Sequence, residues 1–314
     1  FINTEGTMIR SEIPKAEFMY FITVKEGNRF GQKHWQFCNS GGFERIKNKN
    51  IPRLILQEVN DLKINLRDAK KPPKGKLDVV LGSEVTGIAV HESVGHPFEA
   101  DRILGREAAQ AGESFIGPEM IGKQIGSECV TVVDDPTLKN SAGYYCYDDE
   151  GVKARKRYLI KNGKVNEFLH NRETAANMGL KSNGSARAEN YDTEAIVRMA
   201  NTFLLPGKYS EEELIEGVKY GVFIKDYTEW NINDTRYQMK YVGGNAFLIR
   251  NGKLSHPVFK PALEITTPTL WSSIDAVGKN LEYETGTCGK GDPMQGVPAF
   301  LGGPSIRLRG IALS

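Results

Sequence analysis

Leu77-Asp-Val-Val-Leu81, then Gly82-Ser83, then Glu84-Val-Thr-Gly-Ile-Ala-Val-His91-Glu92-Ser93-Val94-Gly95-His96-Pro97 is the stretch on which the reading of this chain turns. A short apolar run of buried-strand type stops at a glycine. Ser83 follows as a helix N-cap, and Ile88 and Val90 lead up to the first histidine. The stretch predicts a strand feeding a helix that carries two histidines, with a carboxylate beside the first. Imidazole nitrogens bind zinc, an open coordination position carries water, and a neighbouring carboxylate can remove its proton. Small neighbours, Gly87, Ala89, Ser93 and Gly95, leave room for a ligand, and only five histidines occur in the whole chain.

The spacing departs from the common pattern, in which two histidines stand four apart on one helix face. His91 and His96 are five apart, about 140° around an ideal helix, so regular geometry would splay the rings. Pro97 cannot donate to the Ser93 carbonyl and biases His96 away from helical angles, while Gly95 tolerates unusual ones. The expectation is a helix that widens into a π-type turn, or ends at Gly95–Pro97, so that the pair converges.

Working outward, Glu17–Val24 and Arg29–Phe37 read as an aromatic-rich hairpin around Gly27-Asn28. Residues 52–70 read as a helix, with Leu62 and Leu66 on its apolar face, and Lys70-Lys-Pro-Pro-Lys-Gly75 as a connector. A polar stretch from Gly105 to Gly126 has weak periodicity. Strands are expected at Cys129–Val133, Tyr144–Tyr147, Val152–Ile160 and Val165–His170, the last two joined at Asn162-Gly163. Short helices are expected at Asn171–Gly179 and after the capping box at Ser210. Three strands follow between Tyr237 and Val258. Gly286–Gly310 reads as a glycine-rich loop with a short strand at Ser305–Ile311. Strands predominate and come in hairpins, so the fold class is α+β with a large antiparallel or mixed sheet rather than βαβ winding.

The 314 residues can bury a large core, and 41 basic against 39 acidic residues are well mixed. That balance provides neither the basic stripe of a nucleic-acid binder nor a polybasic membrane anchor. No apolar run is long enough to span a bilayer as a helix. Four scattered cysteines, Cys38, Cys129, Cys146 and Cys288, read as reduced thiols of a cytoplasmic protein rather than a disulfide framework. The chain opens on Phe1 rather than Met, which suggests that it starts after an N-terminal part.

Taken together, Gly82-Ser83, His91–His96 and Glu99-Ala-Asp101 resemble the core motif of the TldD/PmbA peptidases, in the catalytically competent TldD branch. The likeness runs collinearly through Val132–Asp135, Asp148–Gly151, Asn183-Gly184 with Arg187, Asn201–Gly207, Gly243–Ile249 and Gly286-Thr-Cys-Gly-Lys290. The resemblance implies a curved, half-barrel-like sheet and one zinc ion held by His91, His96 and Cys288, with Glu92 as general base. It implies small or unfolded peptides as substrates. The implied partner is an inactive paralogue of the TldE/PmbA branch or a second copy of the chain. Residues 1–314 would be the catalytic C-terminal region, with a sub-boundary near 71–76 and without the family's N-terminal α/β domain. Pro97 and Arg102–Gly126 differ from bacterial versions of the family.

Around that core, Glu99 and Asp101 follow closely enough to hydrogen-bond a liganding imidazole, or are solvated surface acids. Asn183 and Arg187 line the peptide groove, Arg187 holding a substrate carboxylate, or belong to an ordinary turn. Cys288 lies among Gly286 and Gly289, where backbone can approach a metal. The rival reading is a non-catalytic scaffold or modulator subunit with a structural metal, which a closed fourth ligand would favour.

Overall fold

The computed structural model describes residues 1–107 and 112–313. Part of the polar stretch read at Gly105–Gly126, residues 108–111, lies outside the described residues. Strand Gly75–Leu81 occupies the interior of a nine-stranded sheet, where Val79, Val80 and Leu81 are fully buried. It pairs in parallel with Tyr220–Ile224 and antiparallel with Ile306–Leu313. From the first of these the sheet continues through Ala246–Arg250 to Lys253–Pro257. From the second it continues through Ala262–Thr266 and Gln238–Gly243 to Tyr227–Ile232. The sheet is mixed and open, as the α+β reading expected.

A second sheet of six strands runs Glu282–Lys290, Gln295–Gly303, Asn201–Leu204, Val132–Asp134, Arg157–Lys161 and Lys164-Val165. The helix Ser83–Val90 leaves the first sheet and packs on Gln295–Gly303 of the second. Contact is close because residue 87 has no side chain: a Cβ there would stand 3.3 Å from the Leu301 carbonyl. Beyond its first turn the helix is almost wholly buried, with Val85, Ala89 and Val90 fully so, as a helix clamped between sheets must be.

The hairpin Lys15–Glu26 and Arg29–Ser40 pairs without a bulge around Gly27-Asn28, and helix Ile51–Asp68 covers it with Leu62 and Leu66. Gln36 Nε2 donates to Thr287 Oγ1 at 2.8 Å and Cys38 N to Thr285 Oγ1 at 3.2 Å, which fastens the hairpin beside strand Glu282–Lys290.

Several expectations need correction. The segment read as a glycine-rich loop forms two paired strands, Glu282–Lys290 and Gln295–Gly303, nine residues each. Its glycines allow close packing rather than turns: a Cβ at Gly302 would meet Phe203 and Tyr283 under 3.0 Å. Ser83 is the first helical residue and Gly82 the N-cap, since a Cβ at Gly82 would press into the Lys225 carbonyl at 2.3 Å. Tyr144–Tyr147 is not a strand, and Val165–His170 contributes only Lys164-Val165 to the sheet. No helix among the described residues is long and apolar enough to cross a membrane.

Candidate metal centre

After Val90 the helix widens. Residues His91–Gly95 are π-helical, and the N–H of His96 donates to the carbonyl of His91. An i→i+5 turn brings residues five apart nearly into line, and it resolves the spacing problem posed by the sequence. Pro97 then starts a 3₁₀ turn, His96–Phe98. Ser93 Oγ donates to Ala89 O at 2.6 Å and accepts from the buried Trp271 Nε1 at 3.0 Å, which pins the turn. Gly95 lets Met199 pack against the turn, since a Cβ there would lie 1.8 Å from Met199 Sδ and displace that side chain.

The two rings stand at 4.9 Å between centroids and 83° to each other. Cys288 reaches them from the other sheet, with Sγ 3.5 Å from His96 Nε2. One ligand atom each from His91, His96 and Cys288 lies within 4.8 Å of the others, and all three residues are buried. Tetrahedral zinc, with nitrogen at about 2.05 Å and sulfur at about 2.3 Å, places the two donors roughly 3.5 Å apart. His91 Nδ1 is a buried nitrogen with no hydrogen-bond partner. The donor set therefore fits a borderline-soft divalent ion such as zinc, and among the described residues no fourth His, Cys, Asp or Glu joins it.

Without a metal the triad pairs a protonated imidazole with a thiolate, and His96 must release that proton to ligate. Burial opposes a charged His96, but the Cys288 sulfur and Glu99 outweigh it and lift the imidazole to about 9. Burial likewise opposes a thiolate, yet His96 and His91 hold the Cys288 thiol well below its usual range. A thiolate is the ligand form of cysteine.

Behind the triad the polar groups interlock. Glu99 Oε2 stands 3.0 Å from His96 Nδ1 and 3.1 Å from Lys290 Nζ, and Glu99 is fully buried rather than solvated. Burial favours the neutral acid, but Lys290 and His96 prevail and hold the carboxyl far below its ordinary value. Asp101 does not touch an imidazole. Its Oδ1 accepts from Lys290 Nζ at 2.7 Å, so it supports Glu99's partner. Strand alternation puts Cys288 and Lys290 on one buried face with Gly289 exposed between them. Had the strand been recognised, that alternation would have marked Lys290.

In front of the triad opens a cleft of about 880 Å³, lined by His91, Glu92, His96 and Cys288, with Lys33 and Trp35 of the hairpin opposite. Glu92 faces this space. Its Oε2 accepts from Arg236 Nη1 at 2.5 Å, a contact 144 residues away in sequence that no local pattern signals. Asn183 and Arg187 do not line the cleft. Arg187 donates to Met199 O at 2.6 Å and Pro298 O at 2.9 Å, and Asn183 donates to Phe168 O at 2.7 Å. Both are buried and tie strands and loops together, so Arg187 is not placed to meet a substrate carboxylate.

Residues 74–314 match the family described as the PmbA/TldA metallopeptidase C-terminal domain. A metalloprotease of Methanocaldococcus jannaschii is 37% identical over 307 residues, covering 98% of this chain and 65% of its own length. A metalloprotease TldD homolog of Buchnera aphidicola is 30% identical over 326 residues, covering 99% of this chain and 64% of its own. The chain thus spans just under two thirds of these relatives. Among solved structures, TldE from Thermococcus kodakarensis superposes with a TM-score of 0.70 at 18% identity, over 96% of this chain and 63% of that one.

Proposed function

The chain belongs to the PmbA/TldD family, and from that premise we propose that it is the catalytic portion of a zinc-dependent peptidase acting on small or unfolded peptides. The observation that carries the reading is the convergence of His91, His96 and Cys288 at the wall of a cleft that Glu92 also faces. Three ligands leave a coordination position open, the arrangement of catalytic rather than structural sites.

The two imidazoles and one thiolate give a ligand set with a single formal negative charge. When bound, zinc would polarise the scissile carbonyl and make water more acidic. Glu92 takes the proton of the attacking water at a carboxylate oxygen and later delivers it to the leaving amine. Glu99 holds His96 by Nδ1, which turns Nε2 toward the Cys288 sulfur. The hairpin wall shields one side of the reacting centre while the cleft admits an extended chain.

The likeness to TldE supports a partner of that inactive type, or a second copy in its place. Exposed thiols at Cys129 and Cys146 favour a reducing compartment, the cytoplasm. The test is hydrolysis of an unstructured peptide by the zinc-loaded chain, abolished by a chelator and restored by zinc. Glu92→Gln should keep the metal and lose about 10²- to 10⁴-fold in turnover. Wild-type turnover in that variant, with its zinc content measured, removes Glu92 as the base.

A further inference from the structure

We propose that Arg236 is the positioning residue of the Glu92 carboxylate, clamping one oxygen so that the other is presented to the attacking water. This rests on the peptidase reading for its consequence in turnover, but not for the clamp itself.

Glu92 is only 8% exposed, and a carboxylate so buried needs a hydrogen-bonded partner of opposite charge. Nη1 of Arg236, itself 5% exposed, donates to Oε2 at 2.5 Å. A charge-assisted bond to one oxygen fixes both the tilt and the rotamer of the side chain, which lies on a π-turn rather than a regular helix. Both Glu92 and Arg236 line the cleft beside the metal ligands.

The backbone at Arg236 shows how firmly the guanidinium is held. Its φ is +64°, a left-handed conformation rare for a side chain of this size. Glycine or asparagine would satisfy such a turn at less cost. The turn is nevertheless determined from every direction. Arg236 N donates to Asn233 O at 2.8 Å, and Asn233 Oδ1 accepts from the N–H groups of Tyr237 and Gln238. Thr267 Oγ1 donates to Arg236 O at 2.7 Å, and Phe115 N to Thr235 O at 2.9 Å. Arg102, buried behind the triad, reaches Asp234 O at 3.4 Å. A strained conformation so heavily braced, with its side chain on the candidate base, points to function rather than to turn formation.

The left-handed φ also provides the experiment. Arg236→Gly and Arg236→Asn suit the backbone and delete the guanidinium, so a role confined to the turn would survive both. In the zinc-loaded full chain acting on an unstructured peptide, kcat should fall about 10²-fold in both variants with KM within about threefold. Crystal structures of the variants should show Glu92 leaving its wild-type rotamer while His91, His96 and Cys288 stay in place. Unchanged kcat in either variant, a loss carried by KM, or a Glu92 that keeps its rotamer overturns the proposal. If the zinc-loaded wild type cleaves no peptide, the peptidase reading fails, and the rotamer comparison still decides the clamp.

Discussion

Two groups of acids flank the ligand triad and behave in opposite ways. On the inner side Glu99 and Asp101 share Lys290, and the fully buried Glu99 also meets the His96 imidazole. On the cleft side Lys33 serves Glu84 at 3.0 Å, Asp226 at 3.1 Å and Glu58 at 3.7 Å, the one cation paired with these three among the described residues, with Glu284 also facing them. Burial pushes Glu84 up to about 8 despite Lys33, and Asp226 adds to the rise. Lys33 is held more firmly protonated than usual, since its three carboxylates outweigh the cost of its burial. One cation faces several acids there, and the carboxyls of Glu84 and Glu284 are both raised. The lesson is that burial pushes each of these acids toward its neutral form, and the cations within reach decide whether that push is overcome. The inner side pairs its acids with nearby cations, and the cleft side carries surplus negative charge.

If the inner side exists to hold a metal, removing a ligand should have the largest effect of any single change. His96→Ala and Cys288→Ser should each lose stoichiometric zinc at neutral pH, measured by elemental analysis after dialysis, and with it all turnover. Retention of a full zinc equivalent in either would detach the inner network from metal binding and break the comparison. Glu99→Gln asks the next question, because it keeps shape and hydrogen bonding but removes the balancing charge. Zinc affinity should weaken by about 10- to 100-fold in a competition titration. An unchanged affinity would make Glu99 a partner of Lys290 alone.

Much of this centre was legible in the chain, and the limits have physical causes. The i,i+5 histidines, the proline and the glycine together forced a non-regular turn, and the π-helical His91–Gly95 is its realisation. The hairpin Lys15–Ser40 and the strand Gly75–Leu81 were visible because their apolar and turn residues are local signals. Glycines at 286, 289, 296, 302 and 303 concealed a strand pair, because local propensity counts glycine as a breaker while close packing at 302 and 303 leaves no room for a Cβ. Arg236 and Lys33 act across 144 and 193 residues, on Glu92 and Asp226, and such distances leave no periodic trace. Arg187 drew attention as a charge near a turn, yet its guanidinium is spent on two carbonyls.

The smallest expected effect tests the cleft side directly. Burial, then Glu84, raise the Glu284 carboxyl well above its ordinary 4.5, with Lys33 opposing and Asp226 reinforcing. The folded chain therefore binds this proton more tightly than the unfolded chain does. Stability from that proton is complete below about 4.5, and it is lost as pH rises through the folded value. Glu284→Gln has no proton to lose. Its Tm should match wild type at pH 4 and exceed it by roughly 1–4 °C at pH 8 to 9. Glu264→Gln, an exposed acid paired with Lys240, is the control and should show no such pH-dependent gain. A Glu284→Gln difference that stays constant across this range would mean that Glu284 titrates normally, which requires the cleft acids to be as well compensated as those behind the triad.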